Sequence, residues 1–298
     1  MCLLRKGKIF LNKGDEDAKM RLRELWEKNI NWVLILWVIF SVIFTPGWAV
    51  FAAGAALWIL LLIFTAPGVF WTYLYLLPAN TRYDTGPAIA KLQKVMAMRP
   101  LIPLPYATLG IMYVKSKRWR ESIDPLETAI RLSSKRDRIE LQIIQAVVFR
   151  ELGEYDRTFQ ILDALVAQGV KTVKVFYNYA LSYLRLERFN EALAAVQKAR
   201  ALDLKAAEPV ILMAKIRFGM GDYEGARNDY EWVITHTNWP VESFYWLGRA
   251  EMELGLTAQA VEHLEKAVER ITDEPALSDV TAAEAGEWLE KARNASEA

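Results

Sequence analysis

The 298 residues carry 37 Lys/Arg against 36 Asp/Glu, a net charge of +1, and 53% of them are hydrophobic. That is enough apolar surface for one or two folded domains. The single cysteine, Cys2, excludes an internal disulfide and a cysteine-rich zinc site. The near balance of charge hides an asymmetry: residues 1–31 hold eight basic and five acidic side chains, residues 32–81 hold none, and the remainder holds 29 basic and 31 acidic. A long region that is slightly acidic offers no concentrated basic face to phosphates, which argues against nucleic acid as a partner.

Residues 1–31 read as a basic amphipathic region. Asp15, Glu16 and Asp17 follow Gly14 and favour a helix N-terminus, and Leu22, Leu25 and Trp26 form one apolar stripe. Residues 32–81 are too long and too apolar for a soluble core helix, and too long for one span of about 20 residues. The Pro46-Gly47 pair divides them into arms at 29–45 and 48–66, and Pro67-Gly68 breaks the chain again. Trp32 stands at one end, Trp48 at the turn, and Trp71, Tyr73 and Tyr75 at the return, where amphipathic rings favour a bilayer interface. The segment is predicted to be a transmembrane or membrane-embedded hairpin. The apolar run is too long for a cleaved signal peptide. Basic residues flank the hairpin on both sides (Lys28 and Arg82 nearest) while the turn has none. The positive-inside rule then predicts an integral protein of the cytoplasmic (inner) membrane with both termini in the cytoplasm.

From residue 103 the apolar residues recur at helical spacing, with breaks at 115–117, Gly153-Glu154, Gly221-Asp222 and Gly255. A small-residue column returns as Gly110, Ala146, Ala180, Ala214 and Gly248, at intervals of 36, 34, 34 and 34. A fixed period of this length predicts stacked helical hairpins, an all-α architecture that works by presenting a surface. A second small column runs Ser122, Thr158, Ala192, Ala226, Ala260, and a large one four positions later runs Leu126, Leu162, Val196, Tyr230, Leu264. Trp119, Tyr155, Phe189 and Tyr223 precede the second helices. With Tyr106, Leu109, Gly110 and Tyr113 on the first helix, this order resembles the tetratricopeptide repeat (TPR) family over 103–274. The expected organisation is a membrane hairpin over 32–81, a half-repeat and connector over 82–102, five TPR-like repeats forming an α-solenoid, and a capping helix and tail over 275–298. Ser278 is the expected N-cap of that helix, and residues 294–298 are expected to fray.

There are departures from the family pattern. Gln142 and Gln145 stand where large apolar residues are usual, which predicts looser packing around the second repeat. Arg217 and Glu251 occupy a late first-helix column that is otherwise aromatic, and a two-residue insertion falls near 133–137.

Catalytic chemistry is not written in the chain. His236 and His263 are its two histidines, and no nucleophile elbow, phosphate-cradling loop or metal motif is present. The chain is therefore expected to be no enzyme, with no cofactor and no metal. The resemblance implies that the first helices line a groove for a protein or peptide segment. In the first two repeats its positions are Ile111, Ile143, Val147 and Arg150. The third contributes Lys174, Tyr177, Leu181, Leu184 and Arg185. Ile211, Lys215 and Phe218 follow in the fourth, and Tyr245 and Arg249 in the fifth. Apolar positions rimmed by cations predict a partner with apolar anchors and acidic character. One family variant grips a C-terminal carboxylate with Lys, Asn and Arg; Tyr177, Leu181, Leu212, Glu242 and Trp246 do not reproduce that set. The expected function is a membrane-anchored, non-catalytic adaptor or assembly scaffold. The alternative is a structural accessory subunit or regulator of a larger membrane complex, docking through the hairpin.

Overall fold

The computed structural model describes residues 26, 52, 55–60, 63, 66–68, 70–71, 85–237, 241–273 and 278–297. Most of the expected membrane hairpin lies outside the described residues, and so does most of the basic region before it. Among the described residues no helix is long and apolar enough to cross a membrane.

Every element from residue 85 onward is an α-helix: α1 Thr85–Ala97, α2 Leu104–Lys115, α3 Trp119–Leu132, α4 Lys135–Glu151, α5 Tyr155–Ala167, α6 Val173–Arg185, α7 Phe189–Leu202, α8 Ala207–Gly219, α9 Tyr223–His236, α10 Val241–Glu253, α11 Thr257–Asp273 and α12 Ala282–Glu297. The chain divides into two compact units, Met1–Leu152 and Gly153–Ala298, and the division falls inside the second expected hairpin.

In the N-terminal unit α1 packs on α2 through Ile89, Leu92, Leu109, Met112 and Tyr113, and Gln93 Nε2 donates to the Tyr113 hydroxyl at 2.8 Å. The connector after α1 is tied down: Ile102 shares a small apolar cluster with Ala66, and Gly68 lies against the Pro100 ring. The two-residue insertion falls at the junction of α3 and α4. Ser134 accepts from the Asp137 N–H as N-cap, and α4 runs for 17 residues where α2 runs for 12. Gln142 and Gln145 are half-buried.

In the C-terminal unit three hairpins follow one another, α6–α7, α8–α9 and α10–α11, and α12 packs on α11. The small and large columns explain the close approach of paired helices: Ala180, Ala214, Ala192, Ala226, Ala260, Val196, Tyr230 and Leu264 are all wholly buried. The hairpin turns share one backbone solution. Gly153, Gly221 and Gly255 adopt φ of +72 to +80°, and Glu187 takes the same left-handed place at φ +56°. The loosest junction lies between α5 and α6, which meet far less closely than α7 and α8 do.

Two terminal expectations are corrected. The N-cap of α12 is Thr281, whose Oγ1 accepts from the Glu284 N–H at 3.2 Å; Ser278 accepts from the Val280 N–H instead. The helix also continues to Glu297 rather than fraying at 294, because Ala292 is buried and Arg293 pairs with Glu265 at 2.7 Å.

Candidate functional site: the first-helix face

The groove residues expected from sequence fall into both units. On the N-terminal unit Ile111 and Val147 are half-buried, Ile143 is buried, and Arg150 pairs with Glu151 at 2.9 Å. On the C-terminal unit Tyr177, Leu181, Leu184, Ile211, Lys215, Phe218 and Arg249 are all half-buried, with Lys174 and Arg185 exposed. Partial burial at successive first-helix positions is what a docking face requires: apolar area is held in place and still open on one side.

Two clusters form there. Tyr177, Leu181 and Leu184 pack on a core that includes Leu212, Met213 and Ile216, joining α6 to α8. Phe218 meets Trp246 edge-on at 5.4 Å, joining α8 to α10. The Arg249 guanidinium lies 5.2 Å from the Phe218 ring, 5.1 Å from Trp246 and 4.3 Å from Trp288 of α12. Lys215 Nζ reaches Glu242 at 3.5 Å, and Glu242 also accepts from the Asp279 N–H. Tyr245 does not join the open face. It is wholly buried, and its hydroxyl donates to Glu284 of α12 at 2.9 Å, because the capping helix closes over that position.

The groove set expected from sequence did not include Trp246 or Trp288, nor a second concavity. A cleft of about 360 Å³ is lined by Phe176, Tyr179 and Tyr183 of α6 with Asp163 and Val166 of α5 and Glu191 and Lys198 of α7. Phe159 stacks on Tyr183 at 4.8 Å beside it, and the Tyr179 hydroxyl donates to Asp163. Burial and that carboxylate both raise the Tyr179 pKa, so the phenol stays protonated. The signal was present in the i, i+3, i+7 spacing of Phe176, Tyr179 and Tyr183 on one helix.

The two polar departures have a structural reason. Arg217 Nη1 bonds Asp229 Oδ2 at 2.7 Å, and Glu251 Oε2 bonds His263 Nδ1 at 2.8 Å. Both pairs link position i to i+12, in consecutive hairpins, with the acid and the base exchanged. At the first position of the pair the three preceding hairpins carry an aromatic residue, Tyr113, Phe149 and Tyr183. His263 is thus a partner of buried Glu251, and His236 stacks on Trp232 at 4.8 Å. Among the described residues no group of His, Cys, Asp and Glu could hold a metal ion.

Asp229 gives a pH signature. Its burial outweighs the attraction of Arg217 and pushes its pKa up to about 6. An acid whose folded pKa exceeds its unfolded value binds a proton more tightly when folded. Its contribution is full below about pH 4 and is lost as pH rises to about 6, on the order of 3 kcal/mol at most. Urea unfolding of the wild type and of Asp229→Asn across pH 4–7 checks this. The wild type should lose stability relative to the variant over that window, and a difference flat with pH contradicts it.

Residues 173–205 and 211–275 match tetratricopeptide repeat family models. The C-terminal unit carries tetratricopeptide repeats. Such repeats bind protein partners as adaptors and scaffolds and are typically non-catalytic. Among curated proteins, lipopolysaccharide assembly protein B of Escherichia coli K12 is 25% identical over 154 residues, 49% of this chain and 39% of that protein. The chain thus aligns with about two fifths of that relative's length. Among solved structures, a tetratricopeptide repeat protein from Parabacteroides merdae superposes with a TM-score of 0.59 at 13% identity, covering 80% of this chain and 90% of that one. Yeast Tom70 superposes with a TM-score of 0.56 at 15% identity, covering 79% and 48%. At these identities the superpositions speak for the all-helical TPR fold alone.

Proposed function

We propose that the chain is a membrane-anchored adaptor or assembly scaffold that binds a protein segment on the first-helix face of its TPR array. The observation that carries this reading is the row of half-buried apolar residues from Tyr177 to Phe218 with Lys215 and Arg249 set among them. Apolar pockets supply most of the affinity of such a face, and the cations steer and orient the partner. The partner is a segment with apolar anchors and acidic side chains.

The organisation that fits is a charge-free hairpin over 32–81, a half-repeat and connector over 82–102, repeats over 103–274 and a cap over 275–298. The hairpin holds the array at the inner membrane with both termini cytoplasmic. Tethering raises the effective concentration of a bound partner at the surface without adding a contact. The similarity to a protein named for lipopolysaccharide assembly supports an assembly role over a purely structural one.

The test is in-cell photo-crosslinking from a benzoyl-phenylalanine at position 177, with position 269 on the exposed side of α11 as control, read by mass spectrometry. One dominant protein adduct at 177 and none at 269 is expected. Equal labelling from both positions, or none, sinks the reading. A cysteine placed at Glu297 tests the topology: labelling by an impermeant reagent in intact cells overturns it.

A further inference from the structure

We infer that Arg249 is a carboxylate receptor, and that the acidic side chain of a docked segment pairs with it inside an aromatic box. This rests on the adaptor reading and names the contact that selects the partner.

The box is built from three helices. Phe218 of α8, Tyr245 and Trp246 of α10, and Trp288 of α12 place their rings 4.3 to 5.8 Å from the guanidinium. Aromatic faces hold a cation through their quadrupoles and fix its plane, so the side chain is organised before any ligand arrives. The same rings keep water away, which strengthens an ion pair formed there.

Among the described residues Arg249 has no counter-charge, whereas cationic side chains around it do. Arg217 has Asp229, Lys215 has Glu242, and Arg293 has Glu265. The nearby acids are spoken for: Glu242 also accepts from the Asp279 N–H, and Glu284 takes the Tyr245 hydroxyl. Among the described residues no carboxylate lies within ion-pair distance of Arg249, and its Nε is buried without an acceptor.

Two more buried polar atoms in this region lack a partner. Among the described residues the Trp246 indole N–H and the wholly buried Tyr230 hydroxyl have no hydrogen-bond partner, and Trp246 packs on the cluster that contains Tyr230. A buried donor left unpaired costs about 1–3 kcal/mol, and two such donors, Arg249 Nε and Trp246 Nε1, belong to side chains whose guanidinium and ring lie 5.1 Å apart. A carboxylate supplies two oxygens with room for several donors, and a guanidinium presents a planar fork that matches it.

The occupant is a side-chain carboxylate rather than a chain terminus. Lys174, Arg185, Lys215 and Arg249 are spread over three successive first helices of the unit. Lys215 is already paired with Glu242, but a segment running along the first helices also passes the exposed Lys174 and Arg185 of α6, and several acidic side chains match that path better than the one charge of a C-terminus.

The test uses the full chain in detergent micelles, labelled with 5-fluorotryptophan, with the Trp246 and Trp288 fluorine signals assigned from Trp246→Phe and Trp288→Phe. The probe is the peptide acetyl-Leu-Glu-Leu-Leu-Glu-Leu-amide. Its counterparts carry Gln for Glu, one with an amide end and one with a free carboxylate end. The Glu peptide should shift both signals saturably, and each Gln peptide should bind at least about tenfold more weakly. Arg249→Lys keeps a cation in the box and loses the fork, so it should weaken the Glu peptide about fivefold or more. Its thermal midpoint is read alongside. If that variant unfolds, the comparison of Glu and Gln peptides on the wild type still decides. Equal binding of the Glu and Gln amides, or no response at either tryptophan, overturns the inference. Stronger binding of the Gln peptide with the free terminus overturns the side-chain assignment. If position 177 still crosslinks to one partner while the peptides give no response, the carboxylate receptor falls and the adaptor reading stands.

Discussion

Gly248→Val should strip the last hairpin and the cap from the C-terminal unit, at a cost of about 3 kcal/mol or more. A Cβ built on Gly248 meets Leu264 Cγ at 2.7 Å and the Ala260 carbonyl oxygen at 3.2 Å. The first is the branch point of a fully buried side chain and the second is backbone, so neither can swing aside. Stability in a repeat array is a sum of hairpin and interface terms, so the loss stays near its source. Hydrogen exchange should speed up over 241–297 while 85–151 keeps its protection. Gly286→Ala is the contrast. Gly286 also sits within a helix, but its Cβ meets nothing within 4 Å. That variant should gain up to about 1 kcal/mol from helix propensity alone. If both substitutions act alike, the close approach of α10 and α11 at Gly248 is not what the small column encodes.

The same column shows why the fold was readable before any coordinates. A stacked array repeats one packing problem, so the solution is written several times: a small residue where helices cross, a large one four positions on, a residue with positive φ at the turn. One copy of this is weak and five are decisive. Features outside the period were not readable. Arg249 and Trp288 meet across 39 residues, and the cap that carries Trp288 has no register with the repeats. The same cap buries Tyr245, which its repeat position alone places on the open face. Family analogy also puts Ile143 on that face, and the structure buries it within its unit.

The exchanged pairs are an intermediate case. Arg217 and Glu251 read only as departures while each was compared with its own column. Set beside the columns of their partners, Asp229 and His263, they form a compensated substitution made twice with opposite polarity. An aromatic residue in that column needs no directional bond. A buried polar or charged side chain is destabilising unless its partner is present, which makes each pair more specific to its hairpin than to the fold.

Tyr177→Asp combined with Leu181→Asp should abolish capture of the groove partner, a loss of about 100-fold or more in affinity. Both side chains lie half-buried on the cluster that joins α6 to α8, one helical turn apart, so a single docked segment contacts both. Two carboxylates there remove the apolar anchor, and they also repel a segment that carries acids of its own. The fold should survive, because the residues that close this junction are the buried Ala180, Val196, Leu212 and Ile216 rather than the two that are changed. Circular dichroism and the thermal midpoint check that point. Asp at Gln197 and Ala201, both exposed on α7, adds the same two charges away from the face and should leave capture unchanged. Loss of capture in both double variants with helicity intact would make net charge the cause. Capture retained by Tyr177→Asp/Leu181→Asp would move the search for the partner to the aromatic cleft between α5 and α6. That cleft is a separate surface, formed on α6 by Phe176, Tyr179 and Tyr183, so the two sites answer to different substitutions.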